Sequence, residues 1–178
     1  MSASDRFSKE LWGSAKWFFQ CGTEAEEIAK QQAYYRAAIF HAFAFLESEV
    51  AIIGEHFKSS HVMTVHEKAM LLERQVKFRA GGFHIASGTK FHNLEEKMEL
   101  LVNKFNEAII TEAHWWSKLK TSISIRNTIA HPKNDTVLTK LQVSLALKSV
   151  LDCISSLYLA VFNKKLPYAA LGIEASWV

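Results

Sequence analysis

Apolar positions recur at helical spacing over most of the chain. Between residues 24 and 57, Tyr35, Ile39, Ala42, Leu46, Val50, Ile53 and Phe57 step by four and three, which predicts one long helix. Phe40, Phe43 and Phe45 widen its stripe until the segment is apolar nearly all round. Such a helix must be covered on more than one side, by the domain core or by a second copy of the chain. A second long pattern fills residues 136–162, where Leu138, Leu141, Leu145, Leu151, Ile154 and Tyr158 hold the helical period. Lys164 and Lys165 suit its C-terminal dipole, and Pro167 stops it.

Shorter helices fit around these two. Residues 5–20 predict the first, with Phe7, Leu11, Trp12, Phe18 and Phe19 as packing positions and Cys21-Gly22 as its stop. Thr23 with Glu26, Thr64 with Glu67, and Asn93 with Glu96 have the spacing of a capping box and mark three helix starts. The helix opened by Thr64 is expected to reach about residue 77 through Met70, Leu71 and Val76. The one opened by Asn93 carries Met98, Leu101, Val102 and Phe105. A fifth spans residues 114–130 and begins with Trp115-Trp116, a pair suited to core or interface. Three glycines in residues 80–93 break helical continuity, so this segment is expected as a loop or a small ribbon in which Phe83 and Ile85 pair back toward Phe78. The fold class that follows is all-α: an antiparallel bundle of about five to six helices, one domain over residues 1–178 with a C-terminal tail at 168–178.

Composition narrows the class. A chain of 178 residues with 49% hydrophobic and 22% charged residues can bury a core and is not disordered. Cys21 and Cys153 match no metal or redox spacing and are expected as reduced, partly buried thiols. Asp5, Arg6, Lys9 and Glu10 stand where a signal peptide needs an apolar run. Glu47, Lys148 and Asp152 interrupt the most apolar segments, so no membrane-spanning helix is expected and a cytoplasmic protein follows. His41, His56, His61 and His66 form no recognised metal constellation, and neither metal nor cofactor is expected.

The net charge of +3 is too mild to demand a nucleic-acid partner, but its distribution is uneven. Residues 74–94 hold Arg74, Lys77, Arg79 and Lys90 and no acid. With Phe78, Phe83 and Phe91 interleaved, they suit a single strand of RNA, cations on phosphates and rings on bases. A solvated loop with its phenylalanines packed inward is the competing reading.

The densest chemistry lies in residues 121–135, TSISIRNTIAHPKND. Pro132 disfavours helix at the residue before it, and Asn134-Asp135 is turn chemistry, so this is a helix end. Asn127 and His131 are four apart and share a face, while Arg126 starts about 140° away from His131 on an ideal helix. Lys133 adds a further cation for RNA just past the end. If Arg126, Asn127 and His131 converge on RNA, His131 takes the proton of a ribose 2′-hydroxyl, which attacks phosphorus and expels the 5′-oxygen. Arg126 then neutralises charge on the phosphoryl oxygens, and Asn127 holds the imidazole or a phosphate oxygen. A base and an acid are both needed, and a two-fold dimer with paired motifs supplies them. The plainer reading has His131 serving the helix dipole and Arg126 pairing with Glu47, Glu49 or another acid.

Arg126-Asn127-Thr128-Ile129-Ala130-His131 reads R-N-x-x-x-H, followed by Pro132, and resembles the signature of the HEPN (higher eukaryotes and prokaryotes nucleotide-binding) superfamily. A long early helix, a late motif and an apolar last helix are similar to that family's layout as well. The resemblance implies a HEPN-like helical bundle, usually a homodimer with a composite active site. It further implies a metal-independent endoribonuclease of toxin-antitoxin or antiviral systems, with an antitoxin as a second partner. Arg126 and His131 become the catalytic pair and Asn127 their polar support. The additional polar residue that members place on an earlier helix falls to Glu47, with Glu49 equally available. Two alternatives stand beside the nuclease. One is a non-catalytic RNA- or nucleotide-binding HEPN module. The other is a helical interaction protein that assembles through its second helix and the 168–178 tail.

Overall fold

A computed structural model describes residues 3–105, 114–132 and 135–166. Six helices and a two-stranded ribbon make up the described chain, in the order α1 (Ala3–Glu24), α2 (Ile28–His56), α3 (Val65–Leu71), β1 (Arg74–Arg79), β2 (Gly82–Thr89), α4 (Leu94–Phe105), α5 (His114–Ala130) and α6 (Lys140–Phe162). The protein is thus mostly helical, in keeping with the all-α class. Lys133 and Pro167 of the sequence reading, and the 168–178 tail, lie outside the described residues.

α2 is the central element. All seven positions of its predicted stripe are buried, as are Phe43 and Phe45 on its flanks. α1 covers one side, running antiparallel: Ser8 meets Glu49, Trp12 lies 5.3 Å from Phe45, and Phe19 lies 6.2 Å from Tyr35. α6 covers another side, but it runs the same way as α2. Gln32 exchanges two hydrogen bonds with the Leu138 backbone, Tyr158 bonds Glu49, and His56 meets Phe162, so both numbers rise together. α2 and α6 are therefore parallel to each other, with α1 antiparallel to α2.

α1 also runs past its predicted stop. Gly22 sits inside the helix, where a Cβ would come within 2.5 Å of the Tyr35 ring. This glycine permits close approach of two helices rather than ending one. Thr23 bonds back to the Phe19 carbonyl and caps nothing ahead of it, and α2 begins at Ile28 with no side-chain cap from Glu27.

The Thr64–Glu67 capping box forms as expected, but α3 stops at Leu71. The stretch beyond it, RQVKFR, alternates instead, and it pairs with residues 82–89 in an antiparallel hairpin. Ala80 and Gly81 turn it with φ of 48° and 80°, the positive angles that a two-residue hairpin turn demands. Of the two sequence alternatives for residues 80–93, the ribbon is the one formed, and it begins six residues earlier than the glycines suggest. Asn93 does cap α4, its side chain accepting from the Glu95 amide, while Glu96 turns toward His92.

α6 starts later than predicted. Its N-cap is Thr139, in a capping box with Gln142. The face it buries is Val143, Ala146, Leu147, Val150, Cys153, Ile154 and Leu157, whereas Leu141 and Leu145 point outward, 67% and 43% exposed. Because this helix is apolar around most of its girth, two faces satisfy the same period, and the sequence reading took residues from both. Trp115 and Trp116 are buried in the core. Cys21 and Cys153 are free thiols, and burial pushes both above the ordinary cysteine value. By length and composition α2 and α6 would each suffice to cross a membrane, although the core helix of a soluble protein passes the same test.

Candidate functional site

α5 carries the motif on its last turns. Its apolar positions, Trp115, Trp116, Leu119 and Ile129, are buried, which leaves Lys120, Ser124, Asn127 and Thr128 outside on steps of four, three and one. Helical bonding continues to His131, whose amide donates to the Asn127 carbonyl at 3.0 Å, so the two side chains stay on one face. That face opens on a cleft of about 690 Å³ lined by Asn127, His131, Ser124, Lys120 and, across from them, Glu95 of α4 and Thr136.

Arg126 takes a different direction. Its Nη2 donates to Glu47 of α2 at 3.3 Å and its Nη1 to the Asn127 side-chain oxygen at 3.2 Å. Its Nε is buried with no hydrogen-bond partner among the described residues. Arg126 is not part of the cleft wall, so Asn127 is the link: it lines the cleft with His131 and accepts from the guanidinium. The structure therefore brings Glu47, Arg126 and Asn127 into contact and sets His131 beside Asn127 on the cleft, while Arg126 does not line that cleft. The ion pair itself is half-exposed, 35% and 48% at its side chains, and stabilises by at most about 1 kcal/mol.

Between the two acids that the sequence left open, Glu47 is the one at the motif. Glu49 is fully buried, accepting hydrogen bonds from Ser8 and from the Tyr158 hydroxyl at 2.6 Å. It ties α1, α2 and α6 together.

The hairpin cations are exposed. Val76, Phe78, Phe83 and Ile85 share one face of the ribbon, because Val76 pairs with Ile85 and Phe78 with Phe83. Lys77, Arg79 and His84 take the other face. Phe78 and Phe83 are both exposed, their rings 5.3 Å apart, and Phe83 also meets His66. The phenylalanines thus do not pack inward, as the competing reading required. Arg74 is partly engaged, donating to the Ser87 carbonyl at 2.9 Å. Lys90 is exposed in the loop to α4.

Lys120 and Glu95, which bring charge to the cleft, escaped the sequence reading. Lys120 precedes Ser124, Asn127 and His131 at steps of four, three and four, a helical signal that was present and unused. Glu95 carried no signal, since it reaches the cleft from another element. Among the described residues no group of three or more His, Cys, Asp or Glu side chains stands close enough to hold a metal ion. Comparison of the chain with family models, with curated proteins and with solved structures finds no match in any of the three.

Proposed function

We propose that the chain is a HEPN-like, metal-independent endoribonuclease that works in the cytoplasm as a toxin or antiviral effector, with an antitoxin as its restraining partner. One observation carries the reading: Asn127 and His131 stand side by side on a solvent-open cleft while Asn127 and Glu47 hold Arg126 behind them. His131 accepts the 2′-hydroxyl proton, the 2′-oxygen bonds to phosphorus, and the 5′-oxygen leaves and is protonated by the imidazolium of a second copy. Arg126 swings onto the phosphoryl oxygens, exchanging one hydrogen bond for another. Lys120 draws the strand into the cleft, and Arg74, Lys77, Arg79 and Lys90 hold it farther along, with Lys133 a further cation for RNA on the sequence alone. The homodimer is supported by apolar surface left uncovered, Ile28 and Phe40 on α2 with Leu141 and Leu145 on α6.

This chemistry fixes the products. In the presence of chelator the protein cuts RNA to fragments ending in a 2′,3′-cyclic phosphate and a 5′-hydroxyl, and leaves DNA of the same sequence whole. Fragments bearing 5′-phosphates, or cleavage of the DNA, would overturn the mechanism.

The engagement of Arg126 by Glu47 and Asn127 favours a second reading, a non-catalytic RNA- or nucleotide-binding module using the same cleft. Salt-sensitive RNA binding without cleavage is its signature. A helical interaction protein, the remaining alternative, binds RNA in neither way.

A further inference from the structure

A second cavity, of about 400 Å³, lies between α2, the foot of the hairpin and the first turn of α4. Its volume falls within the roughly 300–1,000 Å³ of small-ligand sites. Leu71, Leu72 and Leu94 form apolar wall, and Phe91, 81% exposed, stands in the wall of the opening. Glu55, Glu73, Lys97 and His92 supply the polar groups, the imidazole of His92 lying 3.9 Å from Glu96, and Glu47 lines it too.

The charges say what kind of ligand fits. Each carboxylate already has a cation: Glu47 has Arg126, Glu73 has Lys97, and Glu55 has Lys58 at 3.2 Å. A free cation would find these groups neutralised, and a phosphate would face three carboxylates. A neutral, flat, hydrogen-bonding ligand meets neither objection. The cavity also adjoins the motif. Glu47 belongs to its wall and to the Arg126 pair, and α4 lends Leu94 to this cavity and the next residue, Glu95, to the His131 cleft.

We propose that this cavity is a nucleobase subsite that takes guanine from the RNA strand entering the His131 cleft. This deepens the reading of the chain as an RNA-binding protein and rests on it. Phe91 stacks on the base. The Lys97–Glu73 pair presents a donor beside an acceptor, matching guanine O6 beside N1–H, and Glu55 accepts from the N2 amino group. Uracil matches the first two contacts but turns O2 toward a carboxylate. Adenine and cytosine each carry a single exocyclic amino donor on this edge and leave one carboxylate unmet. Glu47 then sets the spacing between the held base and the phosphate handled by Arg126.

Nucleosides, which lack the phosphate, test the subsite without any need for cleavage. Guanosine, adenosine, cytidine and uridine are titrated onto the full chain and onto Phe91→Ala and Glu55→Gln, both at exposed positions. The proposal expects guanosine to bind at least about tenfold more tightly than the other three, Phe91→Ala to weaken it about fivefold or more, and Glu55→Gln to narrow the preference. A chain that cuts RNA yet binds no nucleoside, or binds another nucleoside best, overturns the subsite and leaves the nuclease standing. Guanosine binding by a chain that cuts nothing supports the subsite and removes the nuclease.

Discussion

Glu47 and Glu49 are two residues apart on one helix and do opposite work. Two steps of 100° place them about 200° apart, so when one faces the bundle the other faces out. Nothing in a helix that is apolar nearly all round says which is which; α1 and α6 decide it by supplying Ser8 and Tyr158 to Glu49. The motif itself was legible, because R-N-x-x-x-H is local. The direction of Arg126 was legible only as a choice among acids: the plainer reading offered Glu47, Glu49 or another, and the partner that forms, Glu47, lies 79 positions away in sequence. Two predictions belong here. Glu47→Gln is expected to change stability by less than about 1 kcal/mol in urea unfolding, since the pair is half-exposed, while lowering RNA cleavage by about tenfold or more through misplacement of Arg126. Equal loss of stability and activity would make Glu47 a structural residue. Tyr158→Phe leaves the fully buried Glu49 with one donor fewer and is expected to destabilise by about 1–3 kcal/mol. An unchanged urea midpoint would show that the hydroxyl contributes nothing.

At the level of elements, sequence succeeded where a signal was local and one-sided. The Thr64–Glu67 box forms because both partners lie within one turn, and α5 has the bounds its pattern gave. It failed where one residue type serves two purposes. Gly22 reads as a helix stop yet admits the Tyr35 ring, and residues 74–79 carry a strand alternation that a preceding helix masked. Glu67 joins two elements, α3 and α4. It caps α3 and accepts from Lys104 of α4 at 3.0 Å. Burial works to raise its carboxyl, but the hydrogen bonds from Thr64 and Lys104 outweigh it and hold the group below the ordinary glutamate value. A depressed carboxyl contributes stability that is complete above the ordinary value and lost as pH falls through the depressed one. The stability of the wild type is therefore expected to decline across that acid window, and Glu67→Gln to flatten the decline. Superimposable acid limbs in urea unfolding of the two proteins would contradict the assignment.

The whole molecule is built on α2, with α1 antiparallel and α6 parallel to it. Helix content and the central role of the two long apolar segments were readable from periodicity. Relative direction was not, because it is fixed by residues such as Gln32 that reach another element's backbone. The apolar surface left on α2 and α6 and the single imidazole of the motif both support the proposed homodimer, in which a second copy would cover the one and complete the other. The most direct test of the account is RNA cleavage by His131→Ala in chelator, with circular dichroism and urea unfolding to establish that the variant is folded. The imidazole is exposed, so the fold is expected to survive while cleavage falls by about a hundredfold or more. A folded His131→Ala protein that still cuts at the wild-type rate would remove this histidine, and with it the proposed mechanism.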